Sequence, residues 1–462
     1  MSQASTAPQQ FTWEPQPDAF AYVKELVAGF LERNAKAREL AQRMQDETAT
    51  RFIDWIDHIS LPDTAATRER LVSLGWELRE PERTEGGRDV YRNEKGLFPA
   101  ILIGKQRTQV AIKVDSVADF LAVHRLPRVR VQGRPLSQLR TADAFSEGDT
   151  DLLVVERHGT RAFGSQAIDA NFAMRSMAHY ERFRFRQRDH QDRDEGFAEL
   201  SRIIESAVSE LGEDLTCDLF FRSEREYWMR RNTAARVQKA RQDKLGLGWA
   251  NHDHHTYRSS RESYAQLIKV LESIGMRCRE RFYAGEEAGW GAQVLEHPVT
   301  GIVVFADVDM DPEEIEGDFS HQGLPARSKD SGLGTVGLWS RLHGESMLEA
   351  GMHHLECQFD WHALVSQLEA TAGIKTMDPF TTFPFLRQAF TEGEWWEIAD
   401  WRITGLLEDG LITEEQAATF REKGGIGSHL ENLERNDGYK GFNQQGVSDI
   451  IARTDPRKLV DA

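Results

Sequence analysis

The chain has 462 residues, 40% hydrophobic and 29% charged, which supplies apolar material for about two to four packed domains and excludes wholesale disorder. A formal net charge of −18 argues against DNA, RNA or an anionic membrane as the main partner, because proteins built for those partners carry a basic excess. Cys217, Cys278 and Cys357 lie far apart without a CxxC, no apolar run approaches about 18 residues, and the polar start MSQASTAPQQFTWEPQ lacks the apolar core of a signal peptide, so a cytoplasmic protein is expected, without disulfides or a membrane span.

Residues 1–15 read as a polar tail. Residues 17–48 read as helix, with Phe20, Val23, Val27 and Phe30 at helical spacing. A strand at 52–61, a short helix at 64–75 ended by Gly75, and strands at 76–82, 88–93 and 98–104 follow in β-α-β-β-β order. A weaker copy has a strand at 108–115, a helix at 116–124 and strands at 128–133 and 151–157. Residues 165–247 are charged and helical. The basic stretch from Arg222 to Lys244 reads as a solvated face rather than a nucleic-acid site.

The unit returns at 249–257, with a helix at 261–275 and strands near 276–284, 290–296 and 301–308. A fourth unit opens at 352–359, with a helix at 361–370 and further strands to about 395–403. Asp57-His58 aligns with Asp253-His254, and Leu74-Gly75 with Ile274-Gly275. The expected fold is α+β: tandem βαβββ units forming two open-barrel domains with added helices. The expected divisions are a tail and helix at 1–50, a metal-free pair at 51–160, a helical connector at 161–248, a metal-carrying pair at 249–405 and a C-terminal helical and covering segment at 406–462.

The strand at 249–257 carries His252, His254 and His255, and that at 352–359 carries His353 and His354. Side chains alternate along a strand, so His252 and His254 share a face. Singly, His252, His255 and His353 read as hydrogen-bonded or surface residues. His254 and His354, at matching positions of paired units, point to a metal. With one carboxylate from EGEWWEIADW they make a 2-His-1-carboxylate set, which leaves open positions on an ion such as iron. Spacing alone leaves Glu394, Glu397 and Asp400 open as the third ligand.

Units opening on an Asp-His strand resemble the vicinal oxygen chelate (glyoxalase/extradiol dioxygenase) superfamily. Residues 249–450 further resemble the Fe(II)-dependent 2-oxoadipate dioxygenase/decarboxylase (hydroxyglutarate synthase) family, in HHTYRSSRESYAQLIKVLESIGM, MHHLECQFDWHALVSQL, WWEIADWRIT and SHLENLERNDGYKGFNQQGVSDI. The resemblance implies His254, His354 and Glu397 as metal ligands and Arg258 as the clamp for a substrate carboxylate. The stretch from Glu397 to Arg402 is one residue longer than in the family, which leaves Asp400 and Glu394 as competitors.

The implied activity is a dioxygenase that converts a small anionic 2-oxo acid, through oxidative decarboxylation and hydroxylation, to a 2-hydroxy acid. The same ligands also suit Zn, Mn or Ni in an isomerase, a lyase or an extradiol dioxygenase, and a non-catalytic small-molecule-binding protein is the third reading. The first pair of units closes the cavity, mediates a homodimer or only supports the fold. Its His58 has no evident second histidine, although Glu156 and His158 sit at a strand end. GLGTVG at 332–337 lacks the Lys-Ser/Thr of a phosphate loop and reads as a lid. Cys357 reads as a small buried residue, and the C-terminal SHLENLERNDGYKGF as a cover over the site.

Overall fold

The structure is a computed structural model that describes residues 13–79, 87–104, 106–164, 168–284, 289–325, 332–443 and 455–457. The expected tail before Trp13, and the parts of the expected strand at 76–82 and of the C-terminal cover that fall at 80–86 and 444–450, lie outside these residues.

Two helices, α1 (Pro17–Arg33) and α2 (Ala35–Thr48), replace the single helix expected at 17–48. Asn34 separates them. Its side chain accepts the Ala37 N–H, capping α2, and donates to Phe145 O at 3.1 Å, so the break is fixed from both sides.

The first sheet follows. Unit one is β1 (Ile56–Leu61), α3 (Ala65–Ser73), β2 (Glu77–Leu78), β3 (Asp89–Arg92) and β4 (Ala100–Ile103). Unit two is β5 (Thr108–Lys113), α4 (Val117–Val123), β6 (Leu139–Glu147) and β7 (Thr150–Arg157). The order is β2-β3-β4-β1-β5-β7-β6. The strand expected at 128–133 is reduced to a single bridge from Gln132 to Thr141, and β6 takes the pairing the sequence pattern did not show.

Four helices form the connector: α5 (Ala170–Arg184), α6 (Arg193–Leu211), α7 (Glu213–Arg230) and α8 (Thr233–Asp243). Unit three is β8 (His252–Arg258), α9 (Tyr264–Ser273), β9 (Arg277–Tyr283), β10 (Trp290–Glu296) and β11 (Val303–Asp309), followed by α10 (Thr335–His343). Unit four is β12 (His354–Gln358), α11 (Trp361–Ala372), β13 (Thr381–Phe383), β14 (Leu386–Phe390), β15 (Glu394–Trp396), α12 (Asp400–Glu408), α13 (Glu414–Lys423) and β16 (Gly425–Arg435). The second sheet runs β13-β14-β16-β12-β8-β11-β10-β9, with β15 on the early part of β16.

The fourth unit therefore does not close near residue 405. Two helices are inserted, and its last strand is Gly425–Arg435, inside the segment expected to be only a cover. That strand lies deep in the sheet, between β14 and β12.

Within each unit the first strand pairs in parallel with the last, β1 with β4, β5 with β7, β8 with β11 and β12 with β16. The two units of a sheet meet through antiparallel first strands, β1 with β5 and β8 with β12. The repeat extends to the helix ends: Gly75 and Gly275 take φ of +90° and +86°, a conformation that costs a side-chain-bearing residue, and both release the chain after the unit's helix.

Each sheet buries its outer face under helices. α1 and α2 cover the first, around Val23, Phe30, Trp55, Ile59, Ile101 and Ile112. The connector covers the second, where Phe220, Phe221 and Trp228 pack with Tyr257, Leu355 and Leu430. Each such side chain contributes about 1.5–3 kcal/mol. The inner faces mix polar groups with smaller apolar clusters, Phe282, Trp290, Phe305 and Phe390 in the second sheet and Val90, Ala100 and Leu102 in the first. Among the described residues no helix is long and apolar enough to cross a membrane, and all three cysteines are free.

Candidate metal centre

Strand alternation sends His255 and Tyr257 of β8 into the outer core and keeps His254, Thr256 and Arg258 on the inner face. The antiparallel register sets Glu356 of β12 opposite His254, and His354 opposite Thr256. The parallel register sets His429 and Glu431 of β16 beside His354 and Glu356. Three adjacent strands thus bring His254, His354 and Glu431 together, each offering a ligand atom within 4.8 Å of the others. His354 Nε2 lies 3.0 Å from Glu431 Oε2, and the two imidazole centroids are 6.0 Å apart.

Further polar groups orient these three. His254 Nδ1 lies 2.9 Å from Glu356 Oε1 and 3.3 Å from Asp253 Oδ2, which leaves Nε2 for a ligand. Arg435 clamps Asp253 with two hydrogen bonds of 3.0 Å. Gln388 Nε2 donates to Glu356 at 3.0 Å and to Glu431 at 3.2 Å. His354 Nε2 also lies 2.7 Å from the Thr256 hydroxyl, and its Nδ1 lies 3.0 Å from His353 Nδ1.

The electrostatics suit a cation. Burial alone would lower the His254 pKa, but Glu356 and Asp253 outweigh it and push it up to about 9. Burial and the neighbouring His254 charge hold His354 well below the imidazole range. Burial and the Glu356 carboxylate hold Glu431 well above the carboxylate range. Asp253, Glu356 and Glu431 bring three acids against Arg435 and one charged imidazole, so without a further cation Glu431 keeps a proton. A divalent ion between Glu431 and the histidines would replace that proton, and the donor set fits one.

Next to this centre, Arg258 is buried at 3% exposure with its guanidinium 5.7 Å from the Trp339 ring, and among the described residues its Nε has no hydrogen-bond partner and the guanidinium no ion pair. Burial lowers its pKa to about 10, against the pull of Asp307, Asp309 and Asp455. Asp307 stands beside it in the β8–β11 register, with one unpartnered oxygen, and burial raises it to about 7. Phe305, Phe390 and Phe442 wall the site: Phe442 lies 5.1 Å from the His254 ring and 4.5 Å from Phe305, and Phe390 lies 5.0 Å from His354. Phe442 belongs to the segment expected to cover the site.

The structure does not bring Glu397 to the histidines. It is exposed between β15 and α12, because β15 pairs with Gly425–Ser428 and so stops short of Glu431. Its two competitors are engaged elsewhere, Glu394 with the N–H and hydroxyl of Thr233 and Asp400 with Arg421. The carboxylate beside the histidines is Glu431, and one signal in the chain could have found it. His354-Leu355-Glu356 and His429-Leu430-Glu431 are the same tripeptide, and β12 and β16 pair them residue for residue.

The remaining candidates have structural partners. His255 Nε2 accepts from Arg225 at 3.1 Å, and His353 lies against the Trp339 ring. The Gly334, Val336 and Gly337 N–H groups all donate to Asp309, so the second half of GLGTVG is a capped helix start rather than a lid. Cys357 is fully buried in the outer core.

In the first sheet His58 takes the place of His254, and its partner is Asp57 at 2.7 Å. The register then puts Gln109 and Leu153 where the second sheet has His354 and Glu431. The counterpart site therefore lacks both of the other ligand types. Glu156 and His158 form a buried pair with Asp218 of α7.

No family model matches the chain, and no curated protein matches it significantly. Several solved structures are similar. One, described as a hydrolase from Shewanella frigidimarina, is 15% identical with a TM-score of 0.31, over 46% of this chain and 91% of that one. A methylmalonyl-CoA epimerase from Mycobacterium tuberculosis is 12% identical with a TM-score of 0.23, over 40% and 88%. A variant of 4-hydroxymandelate synthase from Streptomyces coelicolor is 11% identical with a TM-score of 0.25, over 89% and 98%. The strand order, not these likenesses, defines the fold: paired units of strand, helix and further strands, joined through their first strands.

Proposed function

We propose that the chain is a non-haem Fe(II)-dependent dioxygenase that turns a 2-oxo acid into a 2-hydroxy acid one carbon shorter. One 2-oxo acid and one dioxygen give the hydroxy acid and CO2, which balances without an outside reductant. The observation that carries this reading is the 2-His-1-carboxylate group of His254, His354 and Glu431, with an unpaired Arg258 on the same sheet face.

His254, His354 and Glu431 would hold the ion. Bound Fe(II) would supply open positions for the substrate oxygens and dioxygen, together with the redox chemistry. Arg258 offers a planar two-pronged donor to the carboxylate at the far end of a small dianionic substrate. Asp307, raised by burial to about 7, is partly protonated near neutral pH, and in that form it offers that group a hydrogen-bond donor rather than a repelling charge. Glu356 and Asp253 hold the His254 ring through Nδ1. Phe305, Phe390 and Phe442 exclude bulk water, which strengthens each of these interactions.

The test is anaerobic reconstitution with Fe(II), then oxygen uptake across a panel of 2-oxo acids, with His254→Ala and Arg258→Ala as variants. Substrate-dependent uptake that vanishes in His254→Ala, and needs at least about tenfold more substrate in Arg258→Ala, is expected. Turnover that persists without oxygen would mark an isomerase or lyase holding Zn, Mn or Ni. Ligand binding indifferent to His254→Ala would mark a binding protein.

A further inference from the structure

A cavity of about 820 Å³ opens between the first sheet, the helical connector and the second sheet. It falls within the size range of small-molecule sites. It is separate from the cluster of His254, His354 and Glu431, none of which lines it.

Among the described residues, three cations from different parts of the fold line this cavity without a hydrogen-bonded or ion-paired carboxylate. Lys113 ends β5 with its side chain exposed to the cavity, and among the described residues its ammonium makes no hydrogen bond or ion pair. Arg222 and Arg225 stand three residues apart on α7, and so on one helix face. Arg222 packs on the Tyr180 ring, 5.3 Å from its guanidinium carbon, with Asp115, Asp218 and Glu156 near enough to raise its pKa but none hydrogen-bonded to it, and Arg225 meets the neutral His255. The fields of Arg225 and Lys113 meet at His252, which also lines the cavity: after burial, Arg225, His255 and Lys113 depress its pKa.

Several of the carboxylates in the lining are already engaged. Asp57 is bound by Arg157, Asp218 by His158, and Glu296 by Lys440 and Arg279. Asp115, which faces Arg222, accepts the Trp249 N–H at 2.8 Å. Cationic side chains lining a cavity without a hydrogen-bonded carboxylate leave their donors open to an anionic ligand.

We propose that this cavity binds a small organic anion bearing two or more phosphate or carboxylate groups, held by Lys113, Arg222 and Arg225. The arginine forks match the oxygens of either group. Phe163 and Met229, also in the lining, face the carbon body of the ligand.

Isothermal titration calorimetry on the metal-depleted full chain at low salt, with pyrophosphate and with citrate, tests this and tells phosphate from carboxylate. Saturable binding of at least one anion is expected, weakened about tenfold or more by Lys113→Gln and by Arg222→Gln, retained by Lys113→Arg, and unchanged by His354→Ala. That last variant separates this site from the metal centre, so either reading can fail alone. No saturable binding of either anion, wild-type affinity in both charge-removing variants, or a loss in His354→Ala would overturn the proposal.

Discussion

Replacing Glu431 by Gln sets two effects of one carboxylate against each other. As a ligand, Glu431 gives the centre its only negative charge among the three donors, 3.0 Å from His354 Nε2. Losing an outer partner of a metal ligand typically costs 10–100-fold in affinity, so losing the ligating carboxylate should cost at least about 100-fold, or about 2.7 kcal/mol. In the metal-free protein the sign reverses. Glu431 is raised well above its unfolded value by burial and by Glu356. A group raised in this way stabilises only below its unfolded pKa, and that contribution is lost as pH rises, so at neutral pH Glu431 costs stability. Glu431→Gln should therefore unfold at the wild-type temperature or higher without metal, yet gain far less from added metal. Glu397→Gln, at an exposed position, should change neither quantity. The assay is competition for Co(II), or anaerobic Fe(II), against a chromophoric chelator, paired with thermal unfolding. An affinity within threefold of wild type in Glu431→Gln, or a large loss in Glu397→Gln, would refute the ligand assignment.

His158 lies between Glu156 and Asp218, whose carboxylates outweigh burial and raise it to about 9. Its contribution should be full below about pH 6.5 and fade toward pH 9, up to about 3 kcal/mol; denaturant titrations should show this decline and His158→Gln should flatten it, whereas an equal slope in the variant would count against it. Glu224 is 1% exposed and neutralises Arg186 and Arg188 at 3.0 and 2.5 Å. Glu224→Ala leaves both cations uncompensated and should cost about 3–5 kcal/mol in chemical unfolding; a loss under about 1 kcal/mol would contradict this.

The units were legible because each follows one rule, an apolar strand, an amphipathic helix and more strands, with a glycine where the helix must release the chain. His254 and His354 were legible for the same reason, since equivalent strands carried them. Glu431 was not, because the two inserted helices α12 and α13 postpone the last strand of the fourth unit from about 395–403 to Gly425–Arg435. A carboxylate sought near residue 397 is then found on the wrong element. β6 escaped notice because LRTADAFSE mixes small and charged residues, so its period-two pattern is faint, and only pairing with β7 makes it a strand. The convergence of Lys113, Arg222 and Arg225 could not be read from the chain at all, since it depends on how a sheet end meets a helix face.

The seam between β8 and β12 has a consequence for the order of events in folding. His254 belongs to the third unit, while His354 and Glu431 belong to the fourth, and Glu431 arrives only when β16 slots between β12 and β14. Such distant pairings form late, after the loops between them have closed. An ion bound there would be captured by an almost finished sheet. It would hardly hasten refolding and would chiefly slow the escape from the native state, acting as a latch across the two halves of the barrel.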